Sequence, residues 1–272
     1  MKIRFFDKHV RKCFAEVAMW ILTIFSVMAL FLDFDDDHKW WILACLVLVL
    51  ALAYVIVWIY ANKIKKIEIK IRNTNIIIKE GDLFTEPGKK LIPCNEYFDT
   101  QVDDKVIATK SLQGIFIQRY IADLSDLDNY INNVCATNKV SVIDQSRQVG
   151  RKTSFKLGTI IPYQDYLLLA YSRFDCDNRA FLGKDDFALC YTNMWNEIDI
   201  VRSGDSISVP VLGSGGMVRF YKDYTTQELI EIILWSFKIS GINLAKQATL
   251  NVIVHESSMD EINFWRLKDY SD

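Results

Sequence analysis

Ser208-Val209-Pro210-Val211-Leu212-Gly213-Ser214-Gly215-Gly216 is the segment of this 272-residue chain best suited to chemistry. A hydrophobic run ends in a loop of three glycines and a serine, followed by Arg219 and then a helix-capping pattern. Glycine lets a backbone approach a ligand closely and turn its N–H groups inward as a nest for an anion. The carboxyl end of a strand is also where open α/β sheets bind their ligands. Two readings fit the loop taken alone: a phosphate nest, or a tight glycine turn that holds nothing. Its spacing is neither GxGxxG nor GxxxxGKS/T, so neither Rossmann dinucleotide binding nor P-loop hydrolysis is supported.

Three further segments carry weaker signals. Gly81-Asp82-Leu83 follows an apolar run, and a ligand role for Asp82 requires its carboxylate to face a pocket. Asn95 and Ser111-Leu112-Gln113-Gly114 have the composition of turns or helix caps. The six cysteines (Cys13, Cys45, Cys94, Cys135, Cys176, Cys190) form no C-x-x-C pair, and His9, His38 and His255 are far apart. A zinc site therefore has no sequence support. Asp33-Phe34-Asp35-Asp36-Asp37 lacks the spacing and glycine of a calcium loop and reads as a solvated turn.

The elements that must position these residues follow from periodicity. Ile67, Ile69 and Ile71 alternate with polar residues, as in a half-buried strand. Asn73-Thr74-Asn75 supplies a turn, and Ile76-Ile77-Ile78 completes a hairpin that runs into Gly81-Asp82-Leu83. Ser125 to about Thr137 is helical, with Leu127, Tyr130, Ile131 and Val134 on one face. Val140–Ile143, Thr159–Ile161, Tyr166–Tyr171, Ile207–Leu212 and Leu250–Val254 read as strands, and Asp185–Val201 as a helix. Capping boxes at Thr225-x-x-Glu228 and Ser258-x-x-Glu261 start two more helices. Alternating strands and helices predict an α/β sheet covered on both faces.

The first 61 residues are different. Trp40 to Ala61 is 22 residues without a charge, bounded by Trp40, Trp41, Trp58 and Tyr60. At about 1.5 Å per residue that spans a hydrocarbon core of roughly 30 Å, with aromatic rings at both interfaces. Cys13 to Leu32 is a second apolar run, interrupted only by Glu16 in its first turn. The basic start (Lys2, Arg4, Lys8, Arg11, Lys12) also suits a cleavable signal peptide, but no Ala-x-Ala-like site closes the run. Another span follows after only seven residues, so two spans are expected. An acidic connection and the basic residues Lys63, Lys65, Lys66 and Lys70 predict both termini on the cytoplasmic side. This gives a membrane hairpin over residues 1–65 and a cytoplasmic domain over 66–272, whose thiols should be reduced.

Charge is nearly balanced, at 32 Lys+Arg against 34 Asp+Glu, which argues against a nucleic-acid partner. Hydrophobic residues make up 51% and charged ones 24%, ample for a packed core. Four prolines and 11 glycines exclude a collagen-like or linker-dominated chain.

Taken in order, these segments resemble a macro domain, the ADP-ribose-binding fold: a strand into Gly-Asp-Leu, an Asn-bearing segment, and a late strand into Pro-x-Leu-Gly-Ser-Gly-Gly. More closely, the chain from Ile67 to Trp265 resembles the macro domain of Thoeris antiviral effectors, the ThsA family, in the version preceded by two membrane spans. KEGDLF, IPCNEYFDT, SLQGIFIQRY, KLGTIIPY, AYSRFD and SVPVLGSGG carry the resemblance through their order. It implies a macro-type mixed sheet flanked by helices. It also implies that a TIR-domain enzyme converts NAD into an ADP-ribose-type signal, in this branch a histidine conjugate. The macro domain would bind that signal, and the chains would then oligomerise and damage the inner membrane.

By the same resemblance, Asp82 would accept from the adenine amine and Leu83 would lie beside the ring. Gly213, Ser214, Gly215 and Gly216, led into by Leu212, would hold the diphosphate and distal ribose. Asn95, Ser111 and Gly114 would form the opposite wall. Hydrolytic macro domains carry an Asn-Ala-Ala-Asn-like run and then a glycine-rich loop, where this chain has Cys94-Asn95-Glu96-Tyr97 and a single Gly114. Binding without catalytic residues, metal or cofactor is therefore expected. The alternatives are a membrane-tethered ADP-ribosyl hydrolase and an anchored protein-binding adaptor.

Overall fold

The computed structural model describes residues 3–31, 38–135, 140–175, 177–201, 203–214, 224–245 and 247–272. The chain divides into two compact units, Met1–Ile67 with Asp260–Asp269, and Glu68–Met259 with Tyr270–Asp272.

In the first unit, α1 (Lys8–Ala29) starts at Asp7, whose Oδ1 accepts from the His9 N–H at 2.8 Å. The second helix, α2 (Lys39–Lys63), is apolar around its whole circumference. Both are long and apolar enough to cross a membrane, and their apolar windows are unburied. Ile3, Val10, Ala61 and Trp265 form a small core at the base. Polar contacts surround it: Trp58 Nε1 donates to the Ile3 carbonyl at 2.9 Å and Asn263 Nδ2 to Asp7 Oδ2 at 3.3 Å. His9 Nε2 lies 2.9 Å from Asp269 Oδ2, so the carboxyl-terminal segment clasps the start of α1.

The second unit is built on a mixed sheet. Its strands are β1 (Lys66–Ile71), β2 (Thr74–Glu80), β3 (Lys89–Asn95), β6 (Ile160–Tyr163), β7 (Tyr166–Phe174), β8 (Ala180–Phe181), β9 (Ile207–Pro210) and β10 (Thr249–Val254). Their order is β1-β2-β10-β9-β3-β7-β6, with β8 on β7. β2, β10, β9, β3 and β7 run parallel, while β6 and β8 pair antiparallel to β7. β4 (Val140–Ile143) and β5 (Thr153–Phe155) form a separate antiparallel pair.

Helices cover both faces. α3 (Leu112–Tyr120) and α4 (Leu124–Cys135) bury Phe116, Ile117, Leu127 and Ile131 against Ile92, Cys94, Leu168 and Ala170. Side chains alternate along a strand, so Leu167, Leu169 and Tyr171 face the other way. That side holds α5 (Lys184–Val201) and α6 (Thr226–Ser240), locked by Trp195 and Phe237 rings 5.1 Å apart and a 2.8 Å bond from Trp195 Nε1 to Ser236 Oγ.

Several expectations shift. The hairpin turn is Arg72-Asn73, since β2 already begins at Thr74. β9 ends at Pro210, and Val211–Ser214 forms a turn closed by Ser214 N–H to the Val211 carbonyl at 3.3 Å. The box at Ser258 does not start a helix. Glu256–Glu261 is a 3-10 segment, and the last helix, Phe264–Leu267, is capped by Asn263 Oδ1 accepting from Trp265 and Arg266 N–H. Asparagine caps at least as well as serine, and here its amide also reaches Asp7. β3 and α3 were not anticipated as elements. The end of the expected helix at Thr137 lies outside the described residues.

Candidate functional site

The sheet's connectivity locates a crevice. From β9 the chain passes through α6 to β10, on the side of β9 away from β3. From β3 it passes through α3 and α4 to β6 and β7, in the opposite direction. β9 and β3 therefore flank a topological switch point, and ligands of such sheets bind at the carboxyl ends of the strands there. The ladder between them holds at only Lys89–Ile207 and Lys90–Ser208. Beyond these pairs, Pro93 in β3 and Pro210 in β9 each remove a backbone donor, which suits strands that part company.

The glycine turn stands at the end of β9. Val211 and Leu212 are buried beneath it, while Ser214 is exposed and its hydroxyl donates to the Val211 carbonyl at 2.7 Å. Gly213 is left-handed, φ +87°, and a Cβ there would come within 3.0 Å of Tyr171 Oη. The left-handed backbone favours glycine, and the Tyr171 contact would be tight for any side chain. Gly215 and Gly216 lie outside the described residues.

Asn95 ends β3 and is 2% exposed. Its Oδ1 accepts from Tyr97 N–H at 3.0 Å and Asp99 N–H at 3.4 Å, whereas its Nδ2 has no partner among the described residues. Gln113 ties the start of α3 to this strand end, accepting from Asn95 N–H at 3.3 Å and donating to the Asp99 carbonyl at 2.8 Å. Ser111 is the α3 cap, with Oγ accepting from Gly114 N–H at 2.9 Å. A Cβ on Gly114 would strike the Ala108 carbonyl, which by itself requires glycine. Gln113 thus brings Asn95 close to the Ser111–Gly114 start of α3.

Asp82 is exposed beyond β2, where Oδ1 caps a 3-10 turn by accepting from Phe84 N–H at 3.0 Å. Leu83 is 4% exposed and packs in the core with Ile92 and Phe116. That turn lies against β9, and Gly81 N–H donates to the Val254 carbonyl at 3.1 Å, which draws the ends of β2 and β10 together.

Charged groups that the spacing gave no sign of brace the wall. Arg173 NH1 reaches Glu96 Oε2 at 3.0 Å while its Nε and NH2 grip Asp186 at 2.7 and 2.9 Å. Deeper, the buried Asp99 pairs with Arg147, whose guanidinium stacks 3.8 Å from the Tyr97 ring centroid. Glu96 and Arg173 are 77 residues apart and Asp99 and Arg147 48, so only tertiary structure reveals these two pairs. Burial pushes the Cys94 thiol far up from its ordinary pKa, which leaves it unsuited to nucleophilic work. Among the described residues, no group of three His, Cys, Asp or Glu could hold a metal ion.

A mixed sheet with helices on both faces and a glycine turn at its switch point defines an α/β ligand-binding domain. The family model described as "Thoeris protein ThsA, Macro domain" matches residues 76–255. The Thoeris protein ThsA of Bacillus amyloliquefaciens (strain Y2) is 33% identical over 269 residues, covering 97% of this chain and 90% of that protein. This chain belongs to the ThsA family of Thoeris proteins and carries its macro domain. Among solved structures, a mutant Oceanobacillus iheyensis macrodomain with ADPR is similar at 15% identity and a TM-score of 0.46, covering 75% of this chain and 96% of that one. The Oceanobacillus iheyensis macrodomain with ADP gives 14% identity and the same TM-score, covering 75% and 94%.

Proposed function

We propose that this ThsA-family chain is a signal-dependent membrane effector of bacterial antiviral defence. The macro domain binds an ADP-ribose-type molecule, in this branch a histidine conjugate, made from NAD by a TIR-domain enzyme. Occupied domains then associate, and α1 and α2, seated in the inner membrane with both termini cytoplasmic, disrupt it. One observation carries the reading: a ThsA macro domain with a glycine turn at its switch point is joined to two unburied helices long enough to span a bilayer.

Binding without turnover suits the wall. Asn95 Oδ1 is committed to the backbone of Tyr97 and Asp99, and the Cys94 thiol is held protonated. Neither group is poised as a base or nucleophile. The test is calorimetry of the full-length protein in detergent with ADP-ribose and its amino-acid conjugates, with chromatography of the ligand afterwards. Stoichiometric binding with intact ligand is expected. Asp82→Ala should weaken it by about 1.5–3 kcal/mol through loss of a charge-assisted hydrogen bond. Consumption of the ligand would establish the tethered hydrolase instead, and failure to bind any of these compounds the protein-binding adaptor.

A further inference from the structure

Tyr171 lies where β3 and β7 lose register. Cys94 pairs with Ala170 and Asn95 with Ser172, so Tyr171 is skipped. Bulges gather beside functional sites, and Tyr171 keeps the α5–α6 face that it shares with Leu167 and Leu169. Tyr171 is 2% exposed, and its hydroxyl has no hydrogen-bond partner among the described residues. Buried hydroxyls are nearly always paired, because leaving one unpaired forfeits its hydration.

Gly213 shows where that hydroxyl points. The atom nearest to a Cβ built on Gly213 is Tyr171 Oη at 3.0 Å, ahead of the Leu229 methyls at 3.7 Å. The side chain thus crosses from β7 beneath the parted ends of β3 and β9 and stops under the glycine turn.

We propose that Tyr171 is a specificity-determining residue of the glycine-turn subsite, its hydroxyl donating to an anionic oxygen of the ligand's diphosphate seated against Gly213. The inference rests on the macro-domain reading given above and adds a residue to it. Burial holds the phenol far above its ordinary pKa, so it remains a protonated donor throughout the accessible pH range. A fixed donor in a site of low dielectric favours an oxyanion over the neutral groups that water would serve equally well. The hydroxyl stays unsatisfied until such an oxygen arrives, which couples occupancy of the turn to the core beneath it.

Tyr191 provides the control. Its hydroxyl on α5 is also buried and without a partner among the described residues, but it is not among the atoms nearest Gly213. The full-length protein, Tyr171→Phe and Tyr191→Phe would be titrated in detergent with ADP and with ADP-ribose, and their melting temperatures recorded. Tyr171→Phe should weaken both ligands about tenfold, the scale of one hydrogen bond to a charged group. Its melting temperature should stay level or rise, because an unpaired polar atom is removed. Tyr191→Phe should bind like the parent.

Unchanged affinity in Tyr171→Phe overturns the inference while leaving the macro-domain reading intact. Equal losses in both variants, or a loss that tracks a fall in melting temperature, also overturn it, by showing a role in core packing. If the parent binds neither ADP nor ADP-ribose, the functional reading falls and the inference falls with it.

Discussion

Glu96 follows Asn95 at the wall of the crevice, with its side chain only 7% exposed beside the half-exposed Arg173. Burial, the largest influence, pushes its carboxyl pKa above the ordinary 4.5, while Arg173 and the Phe174 N–H pull it down. A folded-state value above the unfolded one means that the native protein holds the proton more tightly. The stability Glu96 contributes is therefore fully present below pH 4.5 and declines as pH rises through the raised native value. Glu96→Gln fixes the neutral form. The melting temperature of the variant minus that of the parent should be more positive at pH 7 than at pH 4. A flat or reversed difference would show that the pairing with Arg173 outweighs the cost of burial. Nothing local announces this: Arg173 lies 77 residues away from Glu96 in sequence. The glycine loop stood out because its residue types are informative alone; Asp82 and Asn95 gained weight only through the resemblance, and Tyr171 acquires its position only through the pairing of distant strands.

At the scale of elements, legibility followed the range of the interactions. The α6 capping box needs four consecutive residues. It forms as read, Thr225 Oγ1 accepting from Glu228 N–H at 3.3 Å and Glu228 Oε2 from Thr225 N–H at 2.8 Å. Thr225→Ala should cost about 1 kcal/mol. Urea unfolding of the full-length protein in detergent would register this as a lower midpoint with an unchanged slope, and an unmoved midpoint would show that the cap holds nothing. Strand β1 was equally legible, because alternating isoleucines are a local pattern. β3 was not: Lys89-Lys90-Leu91-Ile92-Pro93-Cys94-Asn95 contains a proline that speaks against an interior strand. The sheet tolerates it because the ladder to β9 has already ended at Lys90. The signal that hid the strand thus marks the crevice. Ser258 failed for a related reason, since a stronger cap at Asn263, anchored to Asp7, won the helix start. The order of the strands, and with it the switch point, comes from long-range pairing that no local pattern encodes.

For the whole molecule, the two candidate membrane spans set the terms of the proposed mechanism. Two helices per chain cannot enclose a pore, so disruption of a bilayer requires several copies. α1 offers a surface on which copies could meet: Ala15, Ala18, Thr23 and Ser26 line one groove together with Met19, Leu22, Val27 and Leu30. The Thr23 and Ser26 hydroxyls are each satisfied by a carbonyl four residues back at 2.8 Å. Small residues let helix backbones approach closely in lipid, where packing rather than hydrophobicity drives association. A ligand shifts an assembly equilibrium only by binding the assembled state more tightly, and moving it from 1:99 to 99:1 takes about 5.5 kcal/mol of differential affinity. Distributed over several macro domains, that is roughly 1–2 kcal/mol per bound ligand, within the usual range of coupling energies. The expected outcome is a ligand-dependent rise in the mass of the detergent-solubilised full-length protein, measured with and without ADP-ribose and its amino-acid conjugates. Permeabilisation of vesicles should then climb steeply with protein density, because several chains must meet before the barrier fails. Saturating binding with an unchanged mass distribution and intact toxicity would exclude assembly and assign the damage to a separate partner.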